Sequence, residues 1–203
     1  MKKRIDQLLV ERGLAESRHK AQALLIGGQV LVNQQKVEKP GQPVDPGAEI
    51  RILNADRYVS RAGAKLQAAL EHFGIAAAGR VCADLGASTG GFTDCLLQSG
   101  AQEVHAFDVG EGQLDWRLRT DPRVVVHDGF NVRHISSQDL PRTVSLVTLD
   151  LSFISITKVL VPLRNALTGC GRTFPVDLIL LVKPQFEVGK GLVGKGGIVR
   201  NEE

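Results

Sequence analysis

The sequence predicts an α/β fold, a mostly parallel Rossmann-like sheet preceded by a small α+β module. Three observations carry that prediction. From residue 61 onward, apolar runs alternate with helical stretches, the pattern of a parallel sheet with crossover helices. One run, Leu178-Ile-Leu-Leu-Val182, is apolar without alternation, as suits a strand buried on both faces. Residues 1–56 instead combine two short helical stripes with two short alternating strands.

Ile5, Leu8 and Leu9 stand at i, i+3 and i+4, which predicts a helix over residues 4–13 that Gly13 stops. Ser17 is placed to cap a second helix that runs through Leu24, Leu25 and Ile26 to Gly27-Gly28. Gln29–Asn33 and Glu49–Leu53 alternate and read as strands. Between them Pro40, Gly41, Pro43, Pro46 and Gly47 predict turns. Residues 57–60 read as a short linker, and Ser60 as the cap of a helix from Arg61 to about Phe73, with Leu66, Ala69, Leu70 and Phe73 on its buried face. The strands of the second domain, residues 61–203, read as Arg80–Leu85, Glu103–Val109, Arg123–His127, Val144–Asp150 and Asp177–Lys183.

The most informative stretch is Val81-Cys-Ala-Asp-Leu-Gly-Ala-Ser-Thr-Gly-Gly-Phe-Thr93. Gly86, Gly90 and Gly91 allow a turn that a Cβ would resist and let a ligand approach the backbone. A helix beginning near Phe92 presents unpaired N–H groups. Asp108 ends the next strand, roughly 20 residues on, where a carboxylate can bind ribose hydroxyls. The spacing G-x-x-x-G-G differs from the dinucleotide fingerprint G-x-G-x-x-G. Asp84 just before the loop would repel a pyrophosphate and suit a methionine ammonium, so S-adenosylmethionine is the expected ligand; a tight turn with no ligand is the alternative. Expected cofactor contacts are Asp84, Gly86, Ala87, Ser88, Thr89, Gly90, Gly91, Phe92, Asp108, Asp128 and Asp150. Asp84, Asp108, Asp128, Asp150 and Lys183 would gather on one rim, where open α/β sheets bind ligands.

Composition bounds the rest. With 203 residues and 43% hydrophobic content, one ordinary domain plus a small one can form. No run reaches membrane-spanning length and the basic start lacks a signal-peptide core, so a soluble, cytoplasmic protein is expected. Cys82, Cys95 and Cys170 form no C-x-x-C pair and the five histidines have no metal-ligand spacing, so neither a metal nor a disulfide framework is expected. Residues 1–60 hold ten Lys/Arg against seven Asp/Glu, whereas residues 61–203 hold fifteen of each. The positive excess thus belongs to the first segment and suggests a polyanion partner. Arg4, Arg18 and Lys20 are the expected phosphate contacts, with Arg12 and Lys36 weaker candidates; solvated helix faces are the alternative.

Arg4-Ile-Asp-Gln-Leu-Leu-Val-Glu-Arg-Gly-Leu-Ala15, Ser17-Arg18 and Gly28-Gln-Val-Leu-Val-Asn33 resemble the αL RNA-binding module of ribosomal proteins and pseudouridine synthases. The whole chain resembles the TlyA-type, hemolysin A-like ribosomal RNA 2′-O-methyltransferases, which join that module to an FtsJ/RrmJ-like methyltransferase domain. The matching stretches are Tyr58–Leu66, Asp84–Asp94, Asp108–Gly110, Gln113-Leu114, Leu149–Ser155, Val182–Glu187 and Gly194–Arg200. The resemblance implies S-adenosylmethionine as cofactor, ribosomal RNA or ribosomal subunits as partner, cytidine as target, and a Lys–Asp–Lys–Glu catalytic set whose first three members fall on Lys65, Asp150 and Lys183. The expected base is Lys183, with Lys65 and Asp150 positioning the hydroxyl. The family continues past Glu203 with another crossover and a final pair of strands, which would carry the glutamate; its role is not transferred to Glu202 or Glu203. The expectation is therefore an incomplete methyltransferase domain whose Asp177–Lys183 strand lies at an open edge. A shortened, non-catalytic RNA-binding protein of the same ancestry is the alternative, and membrane lysis a third reading with little support.

Overall fold

The computed structural model describes residues 2–53, 57–169, 175–188 and 190–199. Asn54–Asp56 of the expected connector region, Cys170, Arg200, Glu202 and Glu203 lie outside the described residues. The chain divides into two compact units, residues 1–57 and 58–203.

The first unit runs β1 (Lys3–Arg4), α1 (Ile5–Glu11), α2 (Arg18–Ile26), β2 (Val30–Val32), β3 (Gln35–Lys36), β4 (Pro43–Val44) and β5 (Ile50–Ile52). The apolar stripe of α1, Ile5, Leu8 and Leu9, is buried with Ala21 and Leu25 of α2 and with Val30 and Val32. The Ser17 hydroxyl accepts the Lys20 N–H at 3.2 Å and so satisfies one donor that α2 leaves unpaired. Strand β2 lies between β3 and β5, antiparallel to both. Residues 35–36 and 43–44, expected in turns, form strands, and β4 pairs with β1. Two-residue strands are too short for alternation to register, and Pro43 is tolerated because its strand is an edge.

The second unit runs α3 (Ala62–Phe73), β6 (Val81–Leu85), α4 (Gly91–Gln98), β7 (Glu103–Phe107), α5 (Trp116–Arg119), β8 (Val124–His127), β9 (Val144–Leu149), α6 (Thr157–Thr168), β10 (Asp177–Leu180) and α7 (Pro184–Glu187). All five strands are parallel in the order β10-β9-β6-β7-β8. Leu66, Cys95, Leu96, Val104 and Leu146 fill one layer of core; Leu85, Phe107, Val147, Leu149, Val159 and Leu163 fill another. Adjacent β9 residues, Leu146 and Val147, enter different layers, which explains an apolar run without alternation. Leu66, Leu96 and Leu146 are fully buried, and truncating such a leucine to alanine typically costs about 2–5 kcal/mol.

Two boundaries differ from expectation. Residues 58–60, read as linker, pack within the second unit: Tyr58 is buried, its hydroxyl donates to Gln67 Oε1 at 2.8 Å, and the Val59 N–H donates to Asp94 Oδ2 at 2.8 Å. Ser60 does not cap α3 with its side chain; Arg61 takes the N-cap position, and the Gly63 N–H donates to the Ser60 carbonyl. The strands also stop earlier than expected, at Phe107, Leu149 and Leu180. Asp108, Asp150 and Lys183 therefore stand in the loops beyond the strand ends. Among the described residues β10 lies at one end of the sheet, and Arg80 ties it to its neighbour by donating to Asp177 Oδ2 at 2.7 Å and to Ser145 Oγ at 3.0 Å.

Candidate active site

Strand order reverses between β6 and β9, because β6 is followed in sequence by β7 on one side while β9 and β10 lie on the other. In open α/β sheets ligands bind beyond the strand ends at such a point, where here the loops leaving β6 and β9 begin. Their backbones nearly touch: the Asp150 N–H donates to the Leu85 carbonyl at 3.1 Å, and a Cβ on Gly86 would lie 2.8 Å from the Asp150 carbonyl oxygen. With φ of +90° as well, position 86 accepts only glycine. Gly90, at φ +99°, likewise leaves no room, since its Cβ would strike the Leu118 side chain.

The loop is fixed by a carboxylate just beyond the end of β7. Ser88, itself in the left-handed region at φ 49°, donates its N–H to Asp108 Oδ2 at 2.8 Å, and Asp108 Oδ1 accepts the Gly110 N–H at 2.8 Å. A cavity of about 420 Å³ lies here, lined among others by Gly86, Ser88, Asp108, Gln113, Asp150 and Phe153. Arg133 also lines it, a cation beside two acids.

Asp84 does not line this cavity. It sits within β6, fully buried, where its carboxylate accepts the Thr93 hydroxyl at 2.7 Å and the Thr148 hydroxyl at 3.0 Å. Burial pushes it up to about 6, against the pull of the two hydroxyls. Its place inside the sheet makes it a tie between β6, β9 and the start of α4. Asp128 also stands off the cavity; it accepts the Gly112 N–H at 3.2 Å and pairs with Arg119, which holds its carboxyl below the usual range. Ala87 and Phe92 are buried, and Thr89 accepts the Asp115 N–H through its carbonyl.

Of the three residues assigned to catalysis, two meet. Lys183 Nζ lies 2.6 Å from Asp150 Oδ1 and donates to Ser152 Oγ at 2.8 Å. Lys65 is exposed and lines a different, largely apolar cavity of about 490 Å³ with Phe73, Phe92 and the Leu178–Val182 run. Among the described residues, no ion pair or hydrogen bond joins Lys65 to Asp150 or Lys183.

Three further residues shape the rim, and sequence reasoning missed their roles. Glu187 of α7 accepts the Ser155 hydroxyl at 2.6 Å and the Ile156 N–H at 2.9 Å, which holds its carboxyl below the usual range and clamps the loop that carries Ser152. Phe153 has φ 63°, a strained conformation for a bulky residue, and is 91% exposed at the cavity lip. Phe186 stands beside it, ring centroids 5.3 Å apart. Both Phe153 and Glu187 lie in stretches that carry the family resemblance, but neither the backbone angle of the one nor the hydrogen bonds of the other is encoded in local residue pattern.

In the first unit, Arg4 and Arg18 both reach one buried carboxylate, Asp6. Lys20 is exposed, and its side chain has no hydrogen bond or ion pair among the described residues. Arg12 donates to the Ala48 carbonyl at 2.9 Å and to that of Pro46, so it holds the 45–48 turn, and Lys36 pairs with Glu38 at 3.0 Å.

Comparison with known proteins agrees with this geometry. Residues 58–203 match the family described as FtsJ-like methyltransferase, and residues 3–50 match the S4 domain. The chain belongs to the FtsJ-like methyltransferase family. A Mycobacterium tuberculosis relative named 16S/23S rRNA (cytidine-2′-O)-methyltransferase TlyA is 49% identical over 98% of this chain and 74% of its own length. Hemolysin A of Brachyspira hyodysenteriae is 42% identical over 98% of this chain and 81% of its own. A solved Streptococcus thermophilus chain, named as a candidate hemolysin, superposes with a TM-score of 0.66 at 40% identity, covering 98% of this chain and 72% of that one. This FtsJ-like chain thus carries an S4 domain before its methyltransferase domain. Among the described residues no helix is long and apolar enough to cross a membrane, and no group of three His, Cys, Asp or Glu side chains is placed to hold a metal ion.

Proposed function

We propose that this protein methylates the 2′-hydroxyl of a cytidine in ribosomal RNA with S-adenosylmethionine, in the cytoplasm, and that its S4 unit holds the RNA through Arg4, Arg18 and Lys20. The observation that carries the reading is the Lys183–Asp150 pair at 2.6 Å, set beside a glycine loop at the point where strand order reverses.

The residues present fit the cofactor. Gly86 lets the loop pack directly on the Asp150 backbone, and Asp108, Asp150 and Arg133 line a cavity of about 420 Å³, suited to a ligand that carries charges of both signs. Gly86, Ser88, Asp108 and Asp150 would hold it. Ala87, Thr89, Gly90, Gly91 and Phe92 would shape the loop, with Asp84 bracing it through Thr93, while Asp128 would act from the 110–112 turn, where it accepts the Gly112 N–H. When bound, S-adenosylmethionine supplies an electrophilic methyl group.

A ribose hydroxyl is a weak acid, so its oxygen must lose a proton as it attacks. Lys183, entering the step as the neutral amine, receives that proton on the Nζ lone pair. Asp150 and Ser152 hold the amine in one place. Lys65, on a flexible stem at the neighbouring cavity, would approach the hydroxyl once RNA is seated. The exposed Phe153 face, backed by Phe186, provides a stacking platform for a base drawn out of its helix.

RNA binding without turnover is the second reading, and the separation of Lys65 from Asp150 and Lys183 is what favours it. Transfer of labelled methyl to ribosomal subunits that lack 2′-O modification separates the two. The proposal expects label at one cytidine, at a linkage resistant to alkaline cleavage. Binding of the subunits with no label above background would decide for the second reading.

A further inference from the structure

The first unit contains a charged group for which neither the methyl-transfer site nor the hydrophobic core has a use. Asp6 lies in α1 with no solvent exposure, in a core otherwise built from Ile5, Leu8, Leu9, Ala21 and Leu25. A buried carboxylate is costly unless it is paired and hydrogen-bonded. Here it is. Arg4 donates from Nε to Oδ1 at 3.0 Å and from Nη2 to Oδ2 at 2.9 Å, a two-pronged fork. Arg18 donates from Nε to Oδ2 at 3.0 Å, and Gln22 from Nε2 to the same oxygen at 3.2 Å.

The acceptor is dry while the donors are wet. The Arg4 and Arg18 side chains are 46% and 53% exposed, against 0% for Asp6. Arg18 commits only Nε, so both its terminal nitrogens have no partner among the described residues; the same holds for Nη1 of Arg4. Because Arg4 Nη2 and Arg18 Nε share one oxygen at 2.9 and 3.0 Å, these nitrogens lie within about 6 Å of each other. Two guanidinium groups so close would repel and splay apart on their own. The carboxylate between them removes that repulsion, and it also removes rotamer freedom that phosphate binding would otherwise have to freeze.

We infer that Asp6 is a positioning residue for RNA binding: it holds Arg4 and Arg18 as a preformed pair whose remaining N–H groups take one phosphate of the RNA backbone. The inference rests on the RNA-binding reading above and adds the residue that orders its contacts. It makes a prediction of unusual sign. Removing a negative charge beside a polyanion should tighten binding and steepen its salt dependence if only net charge mattered. A positioning role requires the opposite.

The test is filter binding of the full chain to labelled ribosomal RNA, with salt varied from about 50 to 200 mM. Asp6→Asn keeps the shape and removes the charge. The expected result is roughly tenfold weaker binding, with the salt slope reduced by about one although both arginines are present. In an Arg4→Ala/Arg18→Ala background, adding Asp6→Asn should change neither affinity nor slope, since there is nothing left to position. Equal or tighter binding by Asp6→Asn overturns the inference. So does a further loss in the double-alanine background, which would mark Asp6 as support for the fold alone. If Asp6→Asn does not fold, Arg18→Lys replaces it: charge is kept and the planar fork is lost, so unchanged binding overturns the inference and a loss with a shallower slope supports it. A wild-type chain with no salt-dependent RNA binding would instead bring down the RNA-binding reading, and the inference with it.

Discussion

Among the described residues two aspartates are wholly buried, and the two units treat them in opposite ways. Asp6 meets charge with charge: two arginines and a glutamine amide hold its carboxyl far below the ordinary range, the Arg4 fork being the largest cause. Asp84 is met by neutral groups, two hydroxyls and the Thr93 backbone N–H, and burial raises it from 3.8 to about 6. The same residue type is an anchor for surface cations in one unit and an internal tie between strands and helix in the other. Neither has exposed surface, so what decides is the partner and the depth: Asp6 lies just beneath two half-exposed arginines, Asp84 deep within the sheet. A partner that is half in water can pass the interaction on to a ligand; Thr93 and Thr148, both buried, cannot.

The pH dependence should therefore differ in sign between the units. For Asp84 the folded state binds the proton more tightly than the unfolded chain. Its contribution to stability is fully present below 3.8 and is lost as pH rises through about 6. Asp84→Asn, which can keep hydrogen bonds to both threonines, should abolish this slope, worth at most about 3 kcal/mol between pH 4 and 6. Urea unfolding of the second unit across that range reads it directly. A mutant that retains the wild-type slope would place the titration elsewhere.

For Asp6 the folded carboxyl is lowered, so its contribution is present above 3.8 and lost as pH falls below that value. Asp6→Ala should cost the first unit about 2 kcal/mol at neutral pH, the range of hydrogen bonds to a charged group. The difference from wild type should shrink as the solution is taken below pH 4. Amide exchange in α1 and α2 measures this unit without interference from the other. A loss that stays constant down to pH 3 would mean packing, not charge, is what the alanine removes.

The comparison also shows what a single sequence reveals. The parallel sheet, the helix pair of the first unit and the glycine loop were legible, because periodicity and glycine placement are local properties. The loop positions of Asp108, Asp150 and Lys183 were nearly so: the apolar runs carry through them, and only hydrogen bonding shows where each strand stops. The direction of Asp84 was not legible. An acid at a strand end looks the same whether its side chain turns to solvent or to Thr93. Asp6 was invisible for a related reason, since an arginine two residues before an aspartate reads as an ordinary solvated surface. Phe153 needed its backbone angle and exposure, neither of which a residue letter encodes. Strands β3 and β4 failed because two residues cannot display a period of two.

Asp150 stands between the two extremes. It is mostly buried, yet its partner Lys183 is a group that can react, and the account turns on that partner. The deciding measurement is single-turnover methyl transfer to unmodified ribosomal subunits at saturating S-adenosylmethionine, with cofactor affinity determined separately by calorimetry, for wild type and Lys183→Ala. The account predicts a rate lower by about 10²–10⁴ in the mutant, with cofactor affinity changed only a few-fold. A mutant that transfers methyl at the wild-type rate would contradict it and take the proton acceptor away from Lys183.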